Sequence, residues 1–395
     1  MTALLLAVFG LALIGWLAGH ARALAFTASR GVLPRQQGWY VAVWTGLPAL
    51  ALLLCWAMMR PADEITLPAM LALLLALVGG GLAFARLRPG FAAGKRVERI
   101  VVAALFAASM VAIVTTAGIL LSLLWEGGRF FAIVPAGEFL FGTHWSPQTI
   151  EGGDPTAGMG ALPLFWGSFF IGAVIAMGVA VPLGLLSAIY LSHYAAPRTR
   201  RWAKPALEVL AGIPTVVYGY LAAVTVAPAI RDLGVALGIG AASSESALAA
   251  GLVMGVMIIP FVSSTADDAL SAVPRTLAEA SLALGATPSE TVRHVLLPTA
   301  LPGIAGGVLL AVSRAVGETM IVVMAASSVA TISANPFAPA TTVTRQIVDL
   351  LTGEATFDSA KTLAAFALGL VLFLLTLFLN FVALAAMRRR GAARA

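Results

Sequence analysis

Nine stretches of the chain are apolar for long enough to cross the hydrocarbon core of a bilayer, which takes about 20 residues of helix. They run approximately over Thr2–Gly19, Tyr40–Met59, Leu67–Ala85, Ile100–Leu124, Leu162–Tyr190, Ala206–Ile230, Ala247–Ser264, Leu301–Ala326 and Thr362–Met387. Within lipid a backbone must satisfy its own hydrogen bonds, so single runs of this length read as helices. The fold class that follows is an all-α polytopic membrane protein with about nine transmembrane helices. Charged residues make up only 11% of the 395 positions, against roughly 25% in soluble domains.

The basic balance, 24 Lys and Arg against 18 Asp and Glu, is no nucleic-acid signal, because the positive residues sit in loops between apolar spans and no basic groove or aromatic platform goes with them. Membrane lipid is the partner they imply. If alternate loops are assigned to the cytoplasm beginning after the first span, those loops and the tail hold 18 of the 24 basic residues. Two of the loops carry Arg86, Arg88, Lys95, Arg96 and Arg99, and Arg198, Arg200, Arg201 and Lys204. The positive-inside rule then sets the amino terminus outside and the carboxyl terminus in the cytoplasm. Residues 21–25, Ala-Arg-Ala-Leu-Ala, contain a small-residue pattern like a cleavage site. No basic residue precedes the first apolar run, so a retained span is expected. Cys55 lies inside a span and has no second cysteine to pair with.

One polar stretch interrupts this pattern with its own internal logic. Pro274–Pro298 reads as two short helices with a turn between them. The first begins near Pro274 and stops at Gly285, the residue suited to a left-handed C-terminal cap. The second is announced by Thr287, Pro288 and Glu290, a capping box with proline at the first helical position. Leu282, Leu284, Val292, Val295, Leu296 and Leu297 give the pair an apolar surface that so short a segment cannot bury alone, so something must dock there. The charge rule, applied without reference to this stretch, puts it on the cytoplasmic side.

Glu279-Ala280-Ser281, then Gly285-Ala286 and Leu297-Pro298, resemble the EAA loop of ABC-importer permeases, in which Glu-Ala-Ala is followed by Gly six positions after the Glu and by Leu-Pro about a dozen beyond. Ser281 departs from that pattern by one hydroxyl. The resemblance implies that this is the coupling loop, seated in a groove of a cytoplasmic ATPase.

Several spans contain Gly and Pro where a smooth helix would avoid them. Gly212 and Pro214 are expected to break the sixth span and Pro260 the seventh, and irregular backbone at membrane depth is tolerated only inside protein or beside a water-filled cavity. Glu208, Arg314 and Glu318 are the ionisable residues inside the expected spans. Arg314 and Glu318 are four apart, so on one helix face and able to pair. A mid-membrane charge costs about 2.5–3.5 kcal/mol on insertion scales, so it is expected to face the bundle interior and to have a purpose. Two purposes remain open. Arg314 presents a guanidinium fork to an oxyanion in transit and Glu318 holds it when the path is empty, with Ser313 and Thr319 beside them. Otherwise the two form a fixed ion pair that sets helix register or a subunit contact. Glu208, near the end of its span, is expected to pair with Arg201 or Lys204.

No Gly-rich phosphate cradle followed by Lys is present, so the chain is not expected to hydrolyse ATP. His20, His144, His193 and His294 have no metal-ligand spacing, and no nucleophile, base and acid are gathered, so neither a metal nor a catalytic site is expected. The external segment Trp125–Gly160 reads as an ordered surface loop with Glu126, Glu138, Glu151 and Asp154, and Val343–Leu351 as a short amphipathic helix.

Phe139-Leu140-Phe141-Gly142, Gly160-Ala161-Leu162-Pro163-Leu164, Ala211-Gly212-Ile213-Pro214-Thr215 and Arg314-Ala315-Val316-Gly317-Glu318-Thr319-Met320 extend the likeness. Residues 100–395 resemble the phosphate-specific branch of these permeases, the PstC family. That resemblance implies a type I ABC importer (MetI-like) transmembrane domain in the bacterial inner membrane. It also implies a PstA-like second permease, PstB-like ATPase subunits that use ATP and Mg²⁺ while this chain binds no cofactor, and a PstS-like phosphate-binding protein. The resemblance further implies that Arg314 and Glu318, which match an Arg and a Glu of the family pattern, matter for transport. Residues 1–99, with three spans, fall outside the family pattern as an extension. The competing readings are a permease for molybdate, sulfate or phosphonate, and a secondary transporter needing no ATPase.

Overall fold

A computed structural model describes residues 2–25, 33–59, 66–89, 91–147, 158–240, 242–352 and 359–391. Among them nine helices are long and apolar enough to cross a membrane. The chain divides into two compact units, Met1–Gly118 and Ile119–Ala395.

In the first unit, α1 (Thr2–Leu24), α2 (Pro34–Met59) and α3 (Thr66–Ala85) pack side by side. Small residues permit the approach: a Cβ on Gly19 would lie 2.9 Å from Val41, the close backbone packing expected where lipid removes the hydrophobic drive between helices. One small core joins Leu4, Val8, Ala49, Leu53, Ala72 and Ala76. Arg22 donates to the Phe84 carbonyl at 3.1 Å with its guanidinium 4.6 Å from that ring's centre, so the cation at the helix end has polar and π partners within the unit. The following α4 (Ala93–Ile133) has no buried residue in its most apolar window.

The second unit is organised about α9. It comprises α5 (Ala136–Phe141), α6 (Leu162–Tyr194), α7 (Pro197–Gly212), α8 (Thr215–Ala236), α9 (Ala247–Ser271), α10 (Arg275–Ala283), α11 (Pro288–Val316), α12 (Met320–Ala325), α13 (Val343–Leu351) and α14 (Ala360–Gly391). Helix α9 is the most enclosed of the nine, and Met254 and Ile258 on it meet Ile171 of α6, Ala311 of α11 and Ile321 of α12 in the main core. A second core joins Phe130, Phe139 and Trp145 to Leu164 and Leu368. A third, of Ala266, Leu270, Val292, Leu296 and Ile304, lies where α9 and α11 meet the segment between them. The amphipathic run Val343–Leu351 is a helix over that range, capped by the Thr342 hydroxyl accepting from the Arg345 N–H.

Three expectations are corrected. The break expected at Gly212 and Pro214 is present, with Ile213 and Pro214 extended (ψ 128° and 135°) because the residue before a proline is driven out of the helical region, so the apolar run Ala206–Ile230 is two helices and not one span. Helix α7 is therefore separate and amphipathic with no buried residue, the crossing helix starts at Thr215, and Glu208 lies outside it. In the seventh span Pro260 does not break the helix, and α9 runs through it to Ser271. The missing N–H removes one backbone bond, a weak point and not an interruption. The eighth span starts earlier than Leu301 and stops sooner than Ala326: α11 runs from Pro288 through a π-helical turn at Val292–Leu296 and ends at Val316. Glu318 and Thr319 thus sit beyond the helix.

Candidate functional site

The segment 274–298 caps itself. Pro274 precedes α10, Gly285 takes φ +89°, and the Thr287 hydroxyl accepts from the Glu290 N–H at 3.3 Å while the Glu290 carboxylate accepts from the Thr287 N–H at 2.8 Å. These bonds satisfy orphan donors at the start of the second helix. The Ser281 hydroxyl, the departure from Glu-Ala-Ala, bonds the Thr291 hydroxyl at 2.9 Å and so ties the two helices together.

The apolar residues divide in two. Val292 and Leu296 are buried on Leu270 and Ile304 within the chain. Leu284 is 90% exposed and Leu282 47%, so the apolar surface left free is the tip of the hairpin and not its whole apolar side. Glu279, Ala280 and Pro298 are exposed, and Ala286 and Leu297 half-buried. Beside the hairpin lies a cleft of ≈ 400 Å³ lined by Ser192, His193, Arg200, Arg275 and Glu279 among others.

The segment 313–319 is arranged differently from the expectation. With α11 ending at Val316, Arg314 and Glu318 do not share a helix face and form no ion pair. Arg314 is exposed on the last turn of α11. Ser313 turns the other way, buried, with its hydroxyl 3.5 Å from the Thr376 carbonyl of α14. Glu318 is half-buried, its N–H bonded to Ala315 and its carbonyl accepting from the Thr344 hydroxyl at 2.8 Å. Thr319 bonds back to the Gly317 carbonyl at 3.4 Å. Chemically, the result is a guanidinium fork with no protein acceptor among the described residues, five N–H donors that suit an oxyanion.

What holds the break after α11 in place went unread in the sequence. Arg345 of α13 donates to the Val323 and Ala326 carbonyls at the end of α12 and to the Ser328 hydroxyl, and pairs with Asp349 at 3.1 Å. Gln346, buried, accepts from the Trp145 indole at 2.9 Å and donates to the Ser328 carbonyl and the Thr341 hydroxyl. The polar face of Val343–Leu351 was the available signal. The expected surface loop therefore has Phe139 and Trp145 inside a core, while Glu151 and Asp154 lie outside the described residues. Also missed was Asp267, buried at the end of α9 and bonded to Arg200 and Lys204 of α7. Lys204 is thus taken by Asp267 and not by Glu208.

Comparison with known proteins gives two family matches. Residues 180–391 match the binding-protein-dependent transport system inner membrane component, and residues 4–78 a family described as phosphate ATP-binding cassette transporter. The chain is 34% identical over 254 residues to a probable ABC transporter permease protein, YqgH, of Bacillus subtilis, covering 64% of this chain and 78% of that one. It is 33% identical over 300 residues to the phosphate transport system permease protein PstC of Mesorhizobium japonicum, covering 70% and 86%. A probable phosphate transport system permease protein PstC of Methanocaldococcus jannaschii is 30% identical over 285 residues, covering 68% and 89%.

Proposed function

The chain belongs to the family of binding-protein-dependent transport-system inner membrane components, and from that premise we infer that it is a permease subunit of an ATP-driven phosphate importer. The observation that carries this is the 33% identity to a phosphate transport permease over 70% of the chain. It is a multi-pass inner-membrane subunit and not an enzyme.

The finer assignments are our reading. A PstA-like second permease completes the path, PstB-like ATPases bind at the hairpin 274–298 and use the ATP and Mg²⁺, and a PstS-like protein delivers phosphate from outside. The exposed Leu282 and Leu284 beside Glu279 support ATPase docking at the hairpin. The loop distribution of Lys and Arg supports a cytoplasmic hairpin and carboxyl terminus.

Arg314 is the residue we assign to the anion. An unpaired guanidinium on a membrane helix is costly, and an oxyanion crossing between two permeases would offset that cost by bidentate bonding. Glu318, unpaired with Arg314 in this arrangement, would repel a second anion or take up Arg314 once the first has left. Closure of the ATPases moves the hairpin, which shifts α9 and α11 on either side of it and exposes Arg314 to one face of the membrane and then to the other.

The test is phosphate uptake in a strain lacking its own phosphate permeases, complemented with this chain and its presumed partners. Restored uptake that excess phosphate suppresses and molybdate, sulfate and phosphonate do not is the expected result. Restored uptake of molybdate, sulfate or phosphonate with none of phosphate would reassign the substrate.

A further inference from the structure

Asp267 is the only acidic or basic side chain among the buried described residues. Its carboxylate is shared by two cations on one neighbouring helix: Arg200 reaches both oxygens at 3.2 Å and Lys204 one of them at 2.8 Å. Arg200 and Lys204 are four apart on α7, hence on one face. That helix has no buried residue of its own. Its other polar tie is the Tyr218 hydroxyl, which donates to the Leu210 carbonyl at 2.9 Å. The contact beneath the ion pairs is imperfectly filled, with a void of about 20 Å³ lined by Leu207, Pro260, Ser263 and Asp267 among others. Two partly exposed cations on one buried carboxylate thus join α7 to α9.

The position of Asp267 along α9 gives this a consequence. Pro260, the weak point of α9, lies on one side of it, and on the other α9 ends at Ser271, three residues before α10 begins. Helix α7 in turn ends at the extended Ile213 and Pro214, beyond which α8 enters the membrane. In that arrangement a bend of α9 at Pro260 would carry Asp267 with it and draw on α7 through Arg200 and Lys204, with the non-helical Ile213 and Pro214 between α7 and α8.

We propose that Asp267, with Arg200 and Lys204, is the positioning junction that passes movement of the hairpin 274–298 to α7 and so to the inner end of the phosphate path. The proposal rests on the importer reading above. Asp267 touches neither phosphate nor nucleotide in this scheme. Its removal leaves two cations without their counter-charge and cuts a mechanical link, so its mark is a changed ratio of transport to hydrolysis.

The test reconstitutes the full complex of permeases, ATPases and binding protein in liposomes and measures phosphate imported per ATP hydrolysed. For Asp267→Asn the ratio is expected to fall fivefold or more, the lower end of about 5–150-fold typical of coupling between sites, while ATP hydrolysis continues. Asp267→Glu is expected to recover part of the ratio. The Arg200→Gln, Lys204→Gln double variant is expected to match Asp267→Asn, with no further loss when all three changes are combined. Import and hydrolysis that fall together, in proportion to the complex assembled, would overturn the junction and leave a structural ion pair. An unchanged ratio in Asp267→Asn beside an active wild type would overturn the junction alone. A wild-type complex that hydrolyses ATP yet imports no phosphate would overturn the importer reading and this inference with it.

Discussion

The hairpin 274–298 and the segment 313–319, to which we assign ATPase coupling and the anion, are two polar interruptions stabilised in opposite ways. The hairpin holds its shape with local bonds: Gly285 at φ +89°, the Thr287–Glu290 box and the Ser281–Thr291 bond all lie within it. The segment after Arg314 borrows its shape from α13, through Thr344 on the Glu318 carbonyl and Arg345 on the end of α12. A self-capped element suits a part that must take force from a partner without deforming. A segment held from outside itself can be released, which suits a part that must alternate.

This contrast can be broken at either end. The largest effect is expected from Arg314→Gln, which removes the fork and should reduce phosphate uptake to background while membrane assembly, read by copurification of the partner subunits, stays intact. Retained uptake would remove Arg314 from the anion path. Next is Gly285→Val. Nothing crowds its Cβ position, so the cost is backbone strain alone, on the order of 1–2 kcal/mol for a side chain in the left-handed region. The tip should tilt, and ATP hydrolysis should persist with uptake lost. Leu284→Ala is expected to weaken ATPase binding by about 2 kcal/mol, the value of burying one leucine, as read by dissociation of the ATPase from the purified complex. Thr344→Val should raise the half-saturating phosphate concentration with little change in maximal rate, and Thr344→Ser should restore it. Ser281→Ala is the smallest, with about 1 kcal/mol lost from one hydrogen bond, visible as a lowered melting temperature and not in transport.

The same contrast explains how much the sequence disclosed. The caps of the hairpin were legible because Pro274, Gly285, Thr287 and Glu290 act on their immediate neighbours, although its second helix runs on to Val316 and Val292 and Leu296 are buried within the chain. The nine spans were legible by length and apolarity, although their ends moved, most for the fourth, which runs over Ala93–Ile133, and at Thr215, Ser271 and Val316. The segment 313–319 differs from expectation because spacing of four implies pairing only while a helix continues, and Gly317 ends it. Asp267, Thr344 and Gln346 were illegible for a different reason: their partners lie 63, 26 and 201 positions away, beyond any periodicity. The first unit shows the same limit, since three helices of small and apolar residues fix their packing without disclosing a task.

The central claim is that the hairpin faces the cytoplasm and receives the ATPase. Thiol labelling of Leu284→Cys, in a chain whose native Cys55 is replaced by Ala, tests it most directly. A membrane-impermeant maleimide should label this residue in inside-out vesicles and not in intact cells, and the label should be lost when the ATPase is bound. Labelling of intact cells from the outside would contradict both the orientation and the docking.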